Sequence, residues 1–195
     1  MNIGIYLFPE IETLDLAGPL EVFSAVNLCT GESHFRVYTF SHVDGVFKTI
    51  NGLKVQADYT LGNVPQPDIM VWPGGEGTRS VMANAGVLQR LLHLYGGSLH
   101  TFSVCSGARI PAVLGLLDGK EFTTHHLVFD DVQKLAPKAR VRPATRFTDN
   151  GKILTAAGVS AGIDISLYIV EKLKGRDIAK QTARYMEYEG NWGDK

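Results

Sequence analysis

The chain has 195 residues, 45% hydrophobic and 20% charged, with a net charge of −1. Its length favours one domain over residues 1–195, large enough to bury a core without staples. The charge balance offers no basic face to nucleic acid, the two cysteines cannot build a disulfide framework or a four-ligand zinc site, and no apolar run reaches the ~20 residues of a membrane helix.

In chain order, Asn2–Phe8 reads as a buried strand. The N-terminus has no basic lead and soon turns acidic, so it is not read as a signal peptide. A reducing cytoplasm is the expected location, with no nucleic-acid or membrane partner and no metal or organic cofactor. An amphipathic helix follows over about Leu16–Leu28, with Gly18-Pro19 expected to break its first turn. Phe35–Ser41 is a second strand. Lys48–Asp58 carries Asn51-Gly52 between β-formers, a hairpin signal. Asp68–Trp72 is a strand that ends at Pro73-Gly74-Gly75. Val87–Leu94 reads as a helix, Leu99–Val104 as a strand and Ala108–Leu117 as the helix after it. His126–Leu135 reads as helical. Arg146–Asp149 and Lys152–Ala156 flank a second turn at Asn150-Gly151, and Ala161–Lys174 and Asp177–Tyr188 are the closing helices. This alternation implies an α/β fold with a mostly parallel sheet and helices on both faces. Ligand sites in such sheets lie beyond the carboxyl ends of the strands, here after Phe8, Trp72 and Val104.

Phe102–Arg109 (FSVCSGAR) is an apolar strand, then a cysteine between small residues, then a helix. That pattern suits a nucleophile on a tight strand-to-helix turn. There the helix N-terminus is expected to favour the Cys105 thiolate; otherwise Cys105 is a small buried hydrophobe. The amides of Gly74 and Gly75, with that of Ser106, are candidate oxyanion donors; alternatively the glycines only shape a loop. Asp15 is a helix cap or a carboxyl placed as acid or base near Cys105. Glu21 reads as a solvated carboxylate. No HxH or HxxxH pair supports a metal site. Of the adjacent His125 and His126, at most one is expected to enter the cleft. Cys29 reads as structural.

As a set, TLDLAGPLEVF, VWPGG, SVCSGARIPAVLGLLDG, TTHH and GVSAGIDISLYIVEKL resemble the ThiJ/PfpI superfamily, relatives of class I glutamine amidotransferases, over nearly the whole chain. The strings around Asp15 and Gly158–Asp164 look most like its isonitrile hydratase branch, a style shared by sensor domains of some AraC-type regulators. The resemblance implies a flavodoxin-like three-layer sandwich, usually a homodimer, with Cys105 as nucleophile and Asp15 as its acidic partner. It places Ser106 where isonitrile hydratases carry a threonine, His125 at the family's histidine, and His126 in place of a pocket-wall aromatic. Gly18, Gly74, Gly75 and Asp164 are its candidate substrate-binding positions, although Asp164 also reads as a helix cap. Three functions follow: isonitrile hydration by Cys105 and Asp15, with Ser106 and the glycine amides orienting the adduct; glyoxalase, amidase or protease chemistry with His125 as base; or a non-enzymatic ligand or redox sensor.

Overall fold

The computed structural model describes residues 1–190 and Trp192. In chain order it contains β1 (Asn2–Leu7), α1 (Thr13–Thr30), β2 (Arg36–Ser41), β3 (Phe47–Lys48), β4 (Lys54–Val55), β5 (Tyr59–Thr60), β6 (Ile69–Trp72), α2 (Thr78–Met82) and α3 (Ala85–Gly97). Then come β7 (His100–Ser103), α4 (Arg109–Val113), β8 (Glu121–Phe122), α5 (Phe129–Leu135), β9 (Arg140–Val141), β10 (Phe147–Asp149), β11 (Ile153–Ala156), α6 (Ala161–Lys174) and α7 (Arg176–Tyr185). Short 3-10 turns occupy Cys105–Ala108 and His126–Val128.

Seven strands form one sheet in the order β10–β11–β7–β6–β1–β2–β5. Every neighbouring pair is parallel except β10–β11, which closes one edge as an antiparallel hairpin. β1 and β6 lie in the middle, and Ile3, Ile5, Leu7, Ile69 and Val71 are buried. Strands covered on both faces need apolar residues throughout rather than alternation, which is why NIGIYL and IMVW read as continuous runs. The helices pack in two groups, α1 with α6 and α7, and α4 with α2 and α5. This is the expected flavodoxin-like sandwich. Both Asn-Gly turns form, and Gly52 (φ +88°) and Gly151 (φ +84°) take the left-handed backbone that glycine tolerates.

Three local expectations need correction. α1 starts at Thr13 and runs through Gly18-Pro19, so that pair does not break the first turn. Proline removes one helical N–H there, but the segment is held by packing. A Cβ on Gly18 would lie 3.1 Å from Ile163 Cγ1, and one on Gly162 would lie 3.4 Å from Pro19 Cδ. The helix expected to Leu117 is a 3-10 turn plus the five-residue α4, followed by Gly115 at φ +70°. α7 ends at Tyr185, and Glu187 then takes a positive φ of +51°.

The carboxyl ends of the central strands are stitched together. The Val104 N–H donates to the Trp72 carbonyl at 3.0 Å, the Glu12 N–H to that of Gly74 at 2.9 Å, and the Cys105 N–H to that of Ala157 at 2.9 Å. Gly107 makes this closeness possible, since a Cβ there would fall 2.2 Å from the Trp72 carbonyl oxygen. Gly107→Ala should therefore lower stability by about 2–3 kcal/mol in urea unfolding. Gly96→Ala, within α3 where a Cβ meets nothing within 4 Å, should instead be neutral or stabilising by up to ~1 kcal/mol.

Candidate active site

β7 delivers the chain into a turn where Cys105 takes φ +56°, a left-handed backbone that costs a non-glycine residue energy. Neighbours hold it there: its N–H donates to Ala157, and its carbonyl accepts from Thr124 Oγ1 at 2.6 Å. Its side chain is buried, and the backbone N–H groups of Ser106 and Val159 favour the charged form of the sulfur. Val159, between β11 and α6, also has a positive φ, +39°. Two strained residues thus meet at the thiol.

Asp15 lies in the first turn of α1 and is fully buried. It caps nothing, since Glu12 holds the N-cap position. Its Oδ2 accepts the Gly74 N–H at 2.7 Å, while Oδ1 is buried with no hydrogen-bond partner among the described residues. Burial pushes the Asp15 pKa up to about 8; the Gly74 N–H opposes this and the Glu12 charge reinforces it. Burial also pushes Cys105 up to about 11, with the Asp15 charge adding to it and the Ser106 and Val159 amides opposing it. The expectation that the helix N-terminus lowers the thiol pKa is therefore corrected. Backbone donors do reach the sulfur, but desolvation and a carboxylate neighbour outweigh them. The two groups titrate as a pair in which a second negative charge is resisted. At neutral pH the carboxyl keeps its proton, which spares Asp15 a buried charge held by one hydrogen bond.

Gly74 and Gly75 do not offer free oxyanion donors. The Gly74 N–H is used by Asp15, and the Gly75 N–H donates to Ser106 Oγ at 2.9 Å, which donates back to the Gly75 carbonyl at 3.2 Å. These groups fix the carboxyl and the cysteine turn, and the Ser106 hydroxyl is likewise committed rather than free to orient an adduct. Gly75, at φ +120°, has room for no Cβ, which would fall 2.2 Å from the Glu10 carbonyl.

His125 is half-buried and packs on Gly158, where a Cβ would come within 2.5 Å of His125 Cδ2. Its Nδ1 accepts the Leu127 N–H at 3.3 Å, so the neutral ring carries its proton on Nε2. Burial and then His126 lower its pKa, against an opposing pull from Glu12. The ring is thus a neutral donor rather than a free base. His126 does not point away from it, because a 3-10 turn starts there: the two rings stack with centroids 4.3 Å apart. His126 is exposed.

Asp164 is not a free substrate ligand. It is buried, one oxygen is held by Arg146 (Nε at 2.7 Å, with Nη2 also bonded), and the other accepts the Tyr188 hydroxyl at 2.7 Å. Gly18 serves α1–α6 packing. Glu21 is exposed, as expected, and the Cys29 thiol donates to the Val26 carbonyl at 3.5 Å. Val159, Thr124 and Glu12 were not singled out from the sequence; the first two act through backbone atoms or on one, which no residue pattern announces. Among the described residues, no group of three His, Cys, Asp or Glu side chains could hold a metal, and no helix is long and apolar enough to cross a membrane.

The model of the DJ-1/PfpI family matches residues 1–172. Isonitrile hydratase of Pseudomonas putida is 29% identical over 189 residues, covering 96% of this chain and 78% of that protein. The HTH-type transcriptional regulator GbdR of Pseudomonas aeruginosa is 27% identical over 190 residues, 96% of this chain; the chain spans about half, 51%, of that regulator. Among solved structures, a ThiJ/PfpI family protein from Pseudomonas syringae superposes with a TM-score of 0.86 at 25% identity, over 97% of this chain and 76% of that one.

The buried carboxyl has a consequence for stability. Asp15 is protonated in the folded state up to about pH 8 but ionises near 4 in an unfolded chain. Its contribution is therefore fully present below about pH 4 and is lost as pH rises through 8. Urea unfolding across this range should show wild type losing up to ~5 kcal/mol relative to Asp15→Asn.

Proposed function

The chain belongs to the DJ-1/PfpI family, and we propose that it is a cysteine-dependent enzyme that hydrates isonitriles to N-substituted formamides. One arrangement carries the reading: a fully buried carboxyl, whose pKa burial pushes up to about 8, acts through its charge on a thiol held on a strained turn. That chemistry suits a substrate whose single carbon must take both a nucleophile and a proton.

Cys105, a thiol at neutral pH, first passes its proton to solvent water; the thiolate then attacks the terminal isonitrile carbon, and Asp15 gives its proton to that same carbon. The product is a thioimidate and an Asp15 carboxylate. The carboxylate then takes a proton from water as its oxygen adds to the carbon, and passes that proton to nitrogen. The tetrahedral adduct collapses: its hydroxyl proton returns to Asp15, the carbon–sulfur bond breaks, and the formamide leaves with the thiolate restored. One isonitrile and one water give one formamide. The Ser106 and Val159 amides stabilise sulfur charge at the start and end of the cycle, and Gly74 keeps Asp15 aimed.

Carbonyl hydrolysis with His125 as base draws less support, since Nδ1 is occupied and Nε2 carries the proton. The likeness to GbdR favours a second reading, in which the same pocket binds a metabolite as a sensor. In keeping with the resemblance, we propose a homodimer of single-domain subunits acting in the cytoplasm.

Purified, reduced protein should turn over an alkyl isonitrile, and Cys105→Ala should abolish this. Asp15→Asn should lower kcat at least ~10²-fold with a smaller change in KM, because the donor acts in the chemical step. Consumption of methylglyoxal without isonitrile turnover would replace this reading with carbonyl chemistry. Metabolite binding with neither activity would replace it with the sensor.

A further inference from the structure

An acid at a helix N-cap ordinarily has an occupation, accepting an N–H from the first turn. Glu12 stands at the N-cap of α1 and makes no such bond. Its carboxylate has no hydrogen bond or ion pair among the described residues, although it is half-buried. Its main chain is fixed on the wall of the site: the Glu12 N–H donates to the Gly74 carbonyl at 2.9 Å, and Ile11 bridges to Gly75. Its charge reaches Asp15, Cys105 and His125 alike, whereas no lysine or arginine is among the charges acting on those three. Lys48, whose carbonyl accepts the Glu10 N–H, forms no ion pair with Glu12 within 4.0 Å. A second polar atom is also left open: Oδ1 of the fully buried Asp15 has no partner.

We propose that Glu12 is a substrate-binding group, and that its carboxylate selects small molecules bearing an ammonium group on a short chain beside the carbon that Cys105 attacks. A carboxylate with no counter-charge at the wall of the site attracts a cationic ligand and repels an anionic one. The inference rests on Cys105 being the reacting thiol, and adds the class of molecule the site admits.

The test separates charge selection from turnover. In a Cys29→Ser background Cys105 is the only thiol, so methanethiosulfonates of similar size with an ammonium or a sulfonate tail probe it alone. The thiolate attacks the outer sulfur, a disulfide forms and methanesulfinate leaves. Normalised to a free small thiol, the ammonium reagent should react at least about tenfold faster than the sulfonate. Glu12→Gln should bring that ratio close to one; any general effect of the substitution on the thiol cancels in the ratio. In parallel, an aminoalkyl isonitrile should exceed a neutral alkyl isonitrile of equal length in kcat/KM, with Glu12→Gln removing the advantage through KM. A wild-type reagent ratio near one, or a ratio that Glu12→Gln leaves unchanged, overturns the proposal. Charge selection without isonitrile turnover would uphold it and defeat the hydration chemistry; turnover without charge selection would do the reverse.

Discussion

A carboxyl and a thiol are buried together where only one negative charge is readily held, and the rest of the site depends on that constraint. Asp15 has lost its solvent and keeps a single strong contact, the Gly74 N–H at 2.7 Å. One neutral donor cannot replace the water a carboxylate gives up, so the proton stays on. Cys105 is held up by the same burial and by the carboxylate's charge whenever Asp15 ionises. Each group therefore sets the other's proton affinity. A reaction that consumes the thiolate's negative charge also releases the carboxyl to change state.

The fold supplies the rigidity this needs. Turns at the carboxyl ends of β1, β6, β7 and β11 converge, and their backbone groups bond to one another before any substrate arrives. The left-handed backbones of Cys105 and Val159 cost of order 1–3 kcal/mol each. The cost is tolerated because Thr124 and Ala157 hold the cysteine turn in place. Gly107, Gly74 and Gly75 are required by closeness, since a Cβ at any of them would intrude on neighbouring atoms.

Much of this was legible in the residues. The parallel sheet followed from the apolar runs and their alternation with helices, and Cys105 followed from a strand ending in small residues. α6 was read to its residue boundaries, because Ala161–Lys174 has clear periodicity and Gly175 ends it. What sequence did not show arises from contacts between distant positions. Asp164 looked like a pocket residue, but Arg146 and Tyr188, 18 and 24 residues away, consume both its oxygens. The glycine amides looked free, but Asp15 and Ser106 already occupy them. For the thiol's proton affinity, a local feature, the helix N-terminus, is visible in a sequence, whereas the desolvation that outweighs it is a sum over the whole fold. An acid at a helix start is commonplace in a sequence; what sets Glu12 apart is that its carboxylate has no partner among the described residues.

The most direct test is the protonation state of one carboxyl. The side-chain carbon resonance of Asp15, labelled with carbon-13 and assigned by its loss in Asp15→Asn, can be followed through a pH titration. The account predicts a protonated carboxyl at neutral pH that titrates near 8, with a further displacement at higher pH as Cys105 ionises. A resonance that titrates near 4, as for an exposed aspartate, would show Asp15 already charged at neutral pH and would contradict the account.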